Sequence, residues 1–213
     1  MTPMAHSYTS MKTYDICPLQ FWHKKINKTY EEEYSPQILE GWRIHSAFEN
    51  ALLGKKALPK ELWKYEGLLR AVPIPCMIEK KLAVDRSFEP CGWMDPDVLY
   101  RAVLDVVYKE TNNKMLAIDW KTGKVREELD QLKGQAAMLM AHYPNITQVT
   151  ANFVWLKHSK MTTYELERPQ LGETIYELME RIIKIEADDV YEAKPGPLCK
   201  WCPAYADCEH AQR

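Results

Sequence analysis

Two carboxylates and a lysine in the middle of the chain have the types and spacing that metal-assisted phosphodiester hydrolysis needs. Asp119 and Lys121 lie two residues apart in "AIDWKTGK" (117–124), and Asp105 lies in the apolar run "AVLDVVY". Side chains two residues apart in a strand point to the same face. Two carboxylates can hold a hard divalent cation, which polarises a phosphodiester and lowers the pKa of a bound water. The lysine would then neutralise charge at the phosphate; the alternative interpretation is a salt bridge at a strand end.

Three features of the surrounding sequence favour the metal site over the salt bridge. An unpaired carboxylate is costly in an apolar strand, so Asp105 needs a partner or a metal ion. The stretch "TGK" after the strand provides a small turn and a second lysine, Lys124. Gln131 and Gln135 lie one turn apart in the helix that follows, where their amide groups could hold a scissile phosphate or a water. The backbone carbonyl of Trp120 is a further candidate metal ligand.

A histidine upstream adds a nitrogen donor to this candidate ligand set. His45 lies on a predicted helix, where a single histidine on an apolar face is usually a core residue. Beside the two aspartates it becomes a candidate metal ligand, which favours Mn²⁺ somewhat over Mg²⁺. Glu79 in "IEKKL" could point into the same site or pair with a neighbouring lysine on the strand surface, and the sequence leaves both interpretations open.

The cysteines indicate a second metal centre near the end of the chain. Three of them crowd into the tail "LCKWCPAYADC" with the spacing C-x2-C-x5-C: Cys199, Cys202 and Cys208. Such crowding is typical of metal ligation. A four-thiolate site needs one more ligand, for which Cys17 is the natural candidate and Cys76 and Cys91 are alternatives. Structural zinc usually draws two short pairs, so one distant cysteine and three clustered ones fit a [4Fe–4S] cluster better, with zinc as the alternative.

Helices and strands must bring these residues together from distant parts of the chain. Hydrophobic periodicity predicts helices over 7–26, 35–54, 59–71, 126–143 and 171–193. It predicts strands over 76–85, 98–110, 114–123, 146–158 and 161–167. We expect Thr9 or Ser10 to cap the first helix and Pro18 to interrupt it. For the second helix, we expect Ser35 to cap the start and Gly54 to end it.

Composition excludes some functional classes and limits others. The chain has 213 residues, 46% of them hydrophobic and 27% charged, as is ordinary for a globular protein. No apolar run approaches the roughly 20 residues that span a bilayer, and the N-terminus lacks a signal-peptide pattern. We therefore expect a cytosolic protein of cellular or viral origin without a membrane partner. The net charge of −2 requires any nucleic-acid site to be a local basic groove.

Taken together, these motifs resemble the PD-(D/E)XK nuclease superfamily. More specifically, the chain is similar to RecB-type exonucleases with an iron–sulfur staple, such as the AddB nuclease domain and the CRISPR-associated four-cysteine adaptation nuclease. The family motifs match in order along nearly the whole chain: Cys17 in "DICPLQFW", His45 in "GWRIH", Asp105, Asp119 and Lys121 in "IDWKTGK", Gln131 in "QLKGQA", and Cys199, Cys202 and Cys208 in the tail. One position departs from the family, since Gln135 stands where a tyrosine is common.

The resemblance implies a restriction-endonuclease-like α/β fold, in which helices flank a mixed β-sheet and a metal cluster joins the N-terminal helix to the C-terminal tail. It implies a single nuclease domain over 1–213, with an N-terminal helical part (7–70), a catalytic sheet and helix (73–170), and a C-terminal helix with the cysteine tail (171–213). The expected activity is a Mg²⁺- or Mn²⁺-dependent DNA exonuclease acting on single-stranded or resected ends. It would work in the cytoplasm or at the nucleoid, with recombination, repair or replication proteins as candidate partners.

Two other functions remain open on the sequence: a structure-selective endonuclease of the same superfamily, and a module that binds DNA ends without cutting. The four intact site residues argue against the second. For the DNA contacts we expect lysines to line a narrow passage and aromatic rings to stack unpaired bases. The candidates for these contacts are Lys124, Lys133, Gln135, Trp22 and the ring of Trp120.

Overall fold

The structure, a computed structural model, describes residues 4–30, 34–126 and 128–212. Among these residues, one compact unit is formed mainly by 35–175, and a second is formed by 6–34 together with 176–212. The single nuclease domain expected over the whole chain stays a prediction. Within the described residues, none of the helices has the length and apolar character that a membrane-spanning helix needs.

The first unit is built on a five-stranded mixed sheet. Its strands are β1 (Met77–Val84), β2 (Tyr100–Lys109), β3 (Lys114–Lys121), β4 (Gln148–Trp155) and β5 (Lys160–Glu167), in the spatial order β1-β2-β3-β4-β5. Neighbouring strands are antiparallel except β3 and β4, which are parallel. Parallel neighbours need a long crossover, and the helix α5 (Asp130–His142) supplies it. The predicted hairpin turn at 110–113 joins β2 to β3.

The helix α3 (Pro36–Leu52) forms as its sequence predicts. The Ser35 hydroxyl accepts a hydrogen bond from the backbone N–H of Ile38, so it caps the helix start. Gly54 follows the helix with a φ of +67°, a backbone conformation that glycine adopts without steric cost. Both ends of α3 are therefore fixed by local chemistry.

One face of α3 packs against the sheet and forms one part of the core of this unit. Ile44 and Phe48 from the helix join Val106 of β2 and Trp120 of β3 in one buried cluster. The Trp120 ring meets the Phe48 ring edge to face, with 5.5 Å between centroids. Successive side chains of a strand point to opposite faces, so the residues on either side of Trp120 point away from this cluster. They face α5 instead, where Gln131 contacts both Asp119 and Lys121.

Several element boundaries differ from the predictions. The segment expected to be a helix over 59–71 is a 3₁₀ segment, Lys60–Tyr65, followed by the short helix α4 (Glu66–Arg70). The helix predicted from residue 126 begins at Asp130, and Glu127 lies outside the described residues. The helix α6 (Leu171–Ala187) ends six residues before the predicted end at 193. It ends there because the Asp188 carboxylate accepts backbone N–H groups from the two residues that begin the tail, Val190 and Tyr191.

The second unit combines the N-terminal helices, most of α6 and the cysteine tail. The helix α1 (Tyr8–Ile16) is capped by Ser7, not by the predicted Thr9 or Ser10, because Ser7 and Ser10 form a reciprocal capping box. After Cys17 the chain starts again as α2 (Pro18–Phe21), which agrees with the predicted break at the proline. A π-helical turn, Trp22–Ile26, follows α2 directly.

Candidate metal-dependent active site

Asp105 and Asp119 meet where the pairing of β2 with β3 stops. The ladder runs from Lys109–Met115 to Val106–Ile118, so the next residue along each strand is one of the two aspartates. Beyond the ladder, Oδ2 of Asp105 accepts a hydrogen bond of 2.7 Å from the backbone N–H of Trp120. A carboxylate therefore replaces the next rung of this ladder, and the two acids lie where β2 and β3 separate, although β2 continues beside β1 and β3 beside β4.

The Asp119 carboxylate is buried and held from several sides. Asp119 is only 5% exposed. Burial is the main cause of its raised pKa, and the positive charge of Lys121 acts in the opposite direction. Oδ2 accepts hydrogen bonds from the amide groups of Gln131 (2.7 Å) and Gln135 (3.0 Å) on α5. Oδ1 lies 2.7 Å from Nζ of Lys121 and forms an ion pair with it. The buried carboxylate is thus held by two amide groups on one oxygen and by an ammonium group on the other.

Lys121 is tied into the same network by one glutamine. Its Nζ donates a hydrogen bond of 2.8 Å to Oε1 of Gln131, whose amide nitrogen donates to Asp119. The same ammonium lies 4.4 Å from the centre of the Phe153 ring, a favourable cation–π distance. The carboxamide of Gln131 therefore fixes the lysine and the aspartate relative to each other.

His45 and Glu79 complete the polar cluster from the other side. Nδ1 of His45 lies 3.3 Å from Oδ2 of Asp105, and one ligand atom from each of His45, Glu79 and Asp105 lies within 4.8 Å of the others. Burial lowers the pKa of His45, but its hydrogen bond with Asp105 and the charge there outweigh burial, so the net shift is upward. Burial and the charge of Asp105 raise the pKa of Glu79. Such a concentration of acidic groups favours a cation.

Glu79 is the residue that the sequence left undecided. It sits inside β1 with a φ of +48°, and the ladder between β1 and β2 skips it, pairing Ile78 with Val106 and Lys80 with Leu104. It therefore stands opposite Asp105 in the register. A glutamate at positive φ in a strand is strained, and the strand register, which the sequence does not reveal, places it in the cluster.

A glycine explains why α3 can come so close to the end of β3. Gly41 is buried, and a Cβ atom there would lie only 3.1 Å from Oγ1 of Thr122, the residue after Lys121. A larger residue would push the helix away from this loop. The glycine in "GWRIH" thus permits the approach that brings His45, one turn later, to the two carboxylates.

The residues predicted to touch DNA lie in different surroundings. Gln135 is 3% exposed and points to Asp119, so it serves the carboxylate and not a ligand in solvent. The Trp120 ring is 2% exposed within the core, so the prediction that it stacks bases is wrong for this side chain. Trp22 is half-buried in the second unit, where its ring meets His23 edge on. Lys124 is exposed in the loop after β3, and Lys133 is half-buried on α5.

The second unit brings the four predicted cysteine ligands to one cavity. The cavity has a volume of about 300 Å³, and its lining includes Cys17, Cys199, Cys202 and Cys208. Two of the sulfur atoms accept hydrogen bonds from backbone N–H groups. The Cys17 sulfur accepts one from Lys194 (3.4 Å), and the Cys199 sulfur accepts one from Gly196 (3.3 Å). The alternative fourth ligands lie in the other unit, since Cys76 packs against the α3 core and Cys91 lies in the loop before β2.

Comparison with known proteins identifies the relatives of this chain. The model of the PD-(D/E)XK nuclease superfamily matches residues 5–209. Among solved structures, the crystal structure of SSO0001 is similar, with a TM-score of 0.52 and 15% sequence identity, over 98% of this chain and 87% of that chain. At that identity the likeness concerns the fold alone. No curated protein matches the sequence. The family match and the mixed sheet confirm the predicted restriction-endonuclease-like α/β fold.

Proposed function

The chain belongs to the PD-(D/E)XK nuclease superfamily, and we propose that it is a divalent-metal-dependent DNA exonuclease of the RecB type. Membership in the superfamily implies a metal-dependent nuclease with DNA as its substrate. The observation that carries the proposal is the meeting of His45, Asp105, Asp119 and Lys121 where β2 and β3 separate. We further propose single-stranded or resected ends as the substrate, in DNA recombination, repair or replication.

The donor groups at the site fit a hard divalent cation. Carboxylate oxygens are the ligands that Mg²⁺ and Mn²⁺ prefer, and an imidazole suits Mn²⁺ in particular. His45, Asp105 and Asp119 would hold the cation, with the backbone carbonyl of Trp120 and the carboxylate of Glu79 as further ligands. The clustering of donors supports this set, because ligand atoms of His45, Glu79 and Asp105 lie within 4.8 Å of one another. When bound, the cation polarises the phosphodiester and makes a bound water more acidic.

The protein groups around the cation have separate tasks. Lys121 orients the attacking water or neutralises the charge that develops on the phosphate oxygens. Gln131 keeps the ammonium of Lys121 in place and at the same time holds Asp119. Gln135 supports Asp119 from within the protein, because its amide group donates a hydrogen bond to Oδ2. Such fixed dipoles need no rearrangement during the reaction, which is the main source of electrostatic catalysis.

We also propose that the cysteine cavity holds a structural [4Fe–4S] cluster. All four thiols line the same cavity. Structural zinc usually draws two short pairs of ligands, whereas three clustered cysteines and one distant cysteine suit a [4Fe–4S] cluster. Such a cluster would join the start of α2 to the tail inside the second unit.

Metal dependence gives the first test of the proposed activity. We expect the purified protein to cleave DNA with Mg²⁺ or Mn²⁺, whereas Ca²⁺ should support binding with little or no cleavage. The physical reason is that Ca²⁺ prefers a larger and more flexible coordination shell than Mg²⁺. Cleavage of a labelled oligonucleotide, followed on a gel with each metal and with excess EDTA, provides the measurement. Full activity in EDTA would overturn the proposal.

The choice between exonuclease and endonuclease is tested with DNA that lacks ends. We expect degradation of linear single-stranded DNA and no cutting of the covalently closed circular form. A covalently closed circle offers no end, so an enzyme that must start at an end cannot degrade it. Lysine contacts to phosphate should also make binding fall steeply with rising salt. Equal cutting of the linear and circular forms would assign the protein to the endonucleases of the same superfamily.

A further inference from the structure

A groove in the first unit is lined by residues of the 3₁₀ segment Lys60–Tyr65 and of the turn that joins β4 to β5. Its volume is about 720 Å³, which lies within the roughly 300–1,000 Å³ of sites that hold small organic ligands. Two of the residues that line it, Tyr65 and Leu156, also pack in the core cluster under α3. We call this feature the β4–β5 groove.

Positive charge is concentrated around this groove. Lys64 comes from the 3₁₀ segment, Lys157 lies in the turn after β4, and Lys160 is the first residue of β5. All three lysines are exposed. The residues that line the groove all belong to the described part of the chain, and none of them is acidic. In a chain whose net charge is −2, three lysines around one groove form a local basic site that attracts an anion.

The contacts that these lysines already make leave their charge in place. The ammonium of Lys64 lies 4.9 Å from the centre of the Tyr65 ring, and a cation–π contact does not neutralise a cation. The hydrogen bond with Arg43 is the main cause of the lowered pKa of Glu40, and the charge of Lys157 contributes to it. Both oxygens of Glu40 accept hydrogen bonds from Arg43, at 2.8 and 3.0 Å. The main partner of this carboxylate is therefore the arginine and not Lys157.

The groove adjoins the strand that carries the catalytic lysine. In the parallel pair β3 and β4, Lys121 stands opposite Trp155, which lines the groove. The backbone N–H of the next residue, Leu156, donates a hydrogen bond of 2.9 Å to the carbonyl of Lys121. A nucleic-acid strand with its cleaved phosphate at Lys121 would therefore have neighbouring phosphates beside the groove.

We propose that the β4–β5 groove binds the phosphate backbone of single-stranded DNA on one side of the cleaved phosphate. This inference rests on the proposed nuclease function and names the surface that holds its substrate. Lysine ammonium groups meet phosphates as point charges, so they hold the strand without reading its sequence. The apolar lining between the lysines suits the unpaired bases of a single strand, as in other grooves that track a single-stranded backbone.

The salt dependence of binding gives the first test, measured by fluorescence anisotropy with a labelled single-stranded oligonucleotide in Ca²⁺. Each neutralised phosphate contributes about 0.7 to the slope of log affinity against log salt concentration. We expect Lys157→Ala and Lys160→Ala each to reduce this slope by about 0.7, which weakens binding about fivefold at 0.1 M salt relative to 1 M. A triple variant that adds Lys64→Ala should reduce the slope by about 2.

Matched variants show whether the effect belongs to the groove. Lys157→Arg keeps the charge, so it should keep the slope of the unaltered protein. Lys109→Ala removes an exposed lysine at the opposite end of β2 and should also leave the slope unchanged. Single-turnover cleavage by the triple variant at saturating DNA should stay within about twofold of the unaltered rate, because the groove holds the strand equally before and during the reaction. Circular dichroism and thermal melting establish that each variant is folded.

A modified oligonucleotide makes the test specific for phosphates beside the cleavage site. Uncharged methylphosphonate linkages replace the phosphates on the 5′ side of the mapped first cut, or those on its 3′ side. We expect one of these two oligonucleotides, and not the other, to bind the unaltered protein about as weakly as the unmodified one binds the triple variant. Combining that oligonucleotide with the triple variant should bring no further loss.

Equal salt slopes of the unaltered protein and the triple variant, or additive losses with the modified oligonucleotide, would overturn the proposal and leave the groove to an acidic protein segment. A large loss of the single-turnover rate at saturating DNA would also overturn it, because the lysines would then act in the chemical step. Failure of the nuclease function itself would appear differently, as an unaltered protein that neither binds nor cleaves DNA with any metal.

Discussion

Asp119→Ala and Lys121→Ala are each expected to lower the rate of DNA cleavage on the order of a thousandfold while the protein stays folded. Asp119→Ala removes a carboxylate that would bind the cation, and Lys121→Ala removes the positive charge that would neutralise the phosphate. The fold should survive because Lys121 is 25% exposed, so water can solvate the ammonium when its partner is removed. Single-turnover cleavage with saturating Mn²⁺ measures the effect.

The two variants should differ in a measurement that does not depend on activity. Mn²⁺ at one hundred times its Kd stabilises a protein by about 2.7 kcal/mol, which raises the Tm by roughly 5–10 °C for a domain of this size. We expect Lys121→Ala to keep this Mn²⁺-dependent rise and Asp119→Ala to lose it. Asp119→Asn is a second variant that can still accept the amide hydrogen bonds of Gln131 and Gln135.

A control lysine separates the role of Lys121 from a general loss of charge. Lys109 is exposed at the opposite end of β2, next to the hairpin. We expect Lys109→Ala to cleave at the rate of the unaltered protein. If Asp119→Ala kept both its cleavage rate and its thermal response to Mn²⁺, the assignment of the metal site would be wrong.

Replacing one tail cysteine is expected to have two effects at once: the second unit loses stability, and it loses its metal cluster. Cys202→Ser should abolish the iron and acid-labile sulfide of protein purified without air, and with them its brown colour. The reason is that the cluster joins Cys17 to residues near the other end of the chain, and closing so long a loop is worth on the order of 4–5 kcal/mol in cross-linked proteins. Cleavage activity should fall with stability.

Metal analysis and chemical denaturation of Cys202→Ser and Cys17→Ser provide the measurement. Cys91→Ser is the matched control, since Cys91 is a half-buried free thiol outside the cavity. It should retain iron, sulfide and stability. Stoichiometric zinc without iron in the unaltered protein would replace the cluster with a zinc staple.

The sequence alone determined the features that depend on neighbours along the chain. A serine cap and a terminal glycine define α3, and a polar turn at 110–113 defines the β2–β3 hairpin, because caps and turns use hydrogen bonds only a few residues long. The alternation of strand residues also placed Asp119 and Lys121 on one face. The cysteine spacing indicated a metal centre, although its identity stays a prediction.

The tertiary structure decided the features that depend on register and packing. Glu79 joins His45 and Asp105 because the β1–β2 register places it opposite Asp105, and nothing within its own strand reveals that register. Gln135 supports a carboxylate because α5 packs with that residue turned inward.

The same distinction explains why the prediction that Trp120 stacks bases was wrong. Trp120 and Trp42 both belong to amphipathic elements, but Trp120 lies inside the cluster that α3 forms with the sheet, and Trp42 lies on the outer side of α3. Sequence periodicity shows that an element has two faces. Only the contacts between distant elements decide which face is covered, because burial is a property of the packed chain and not of a short segment.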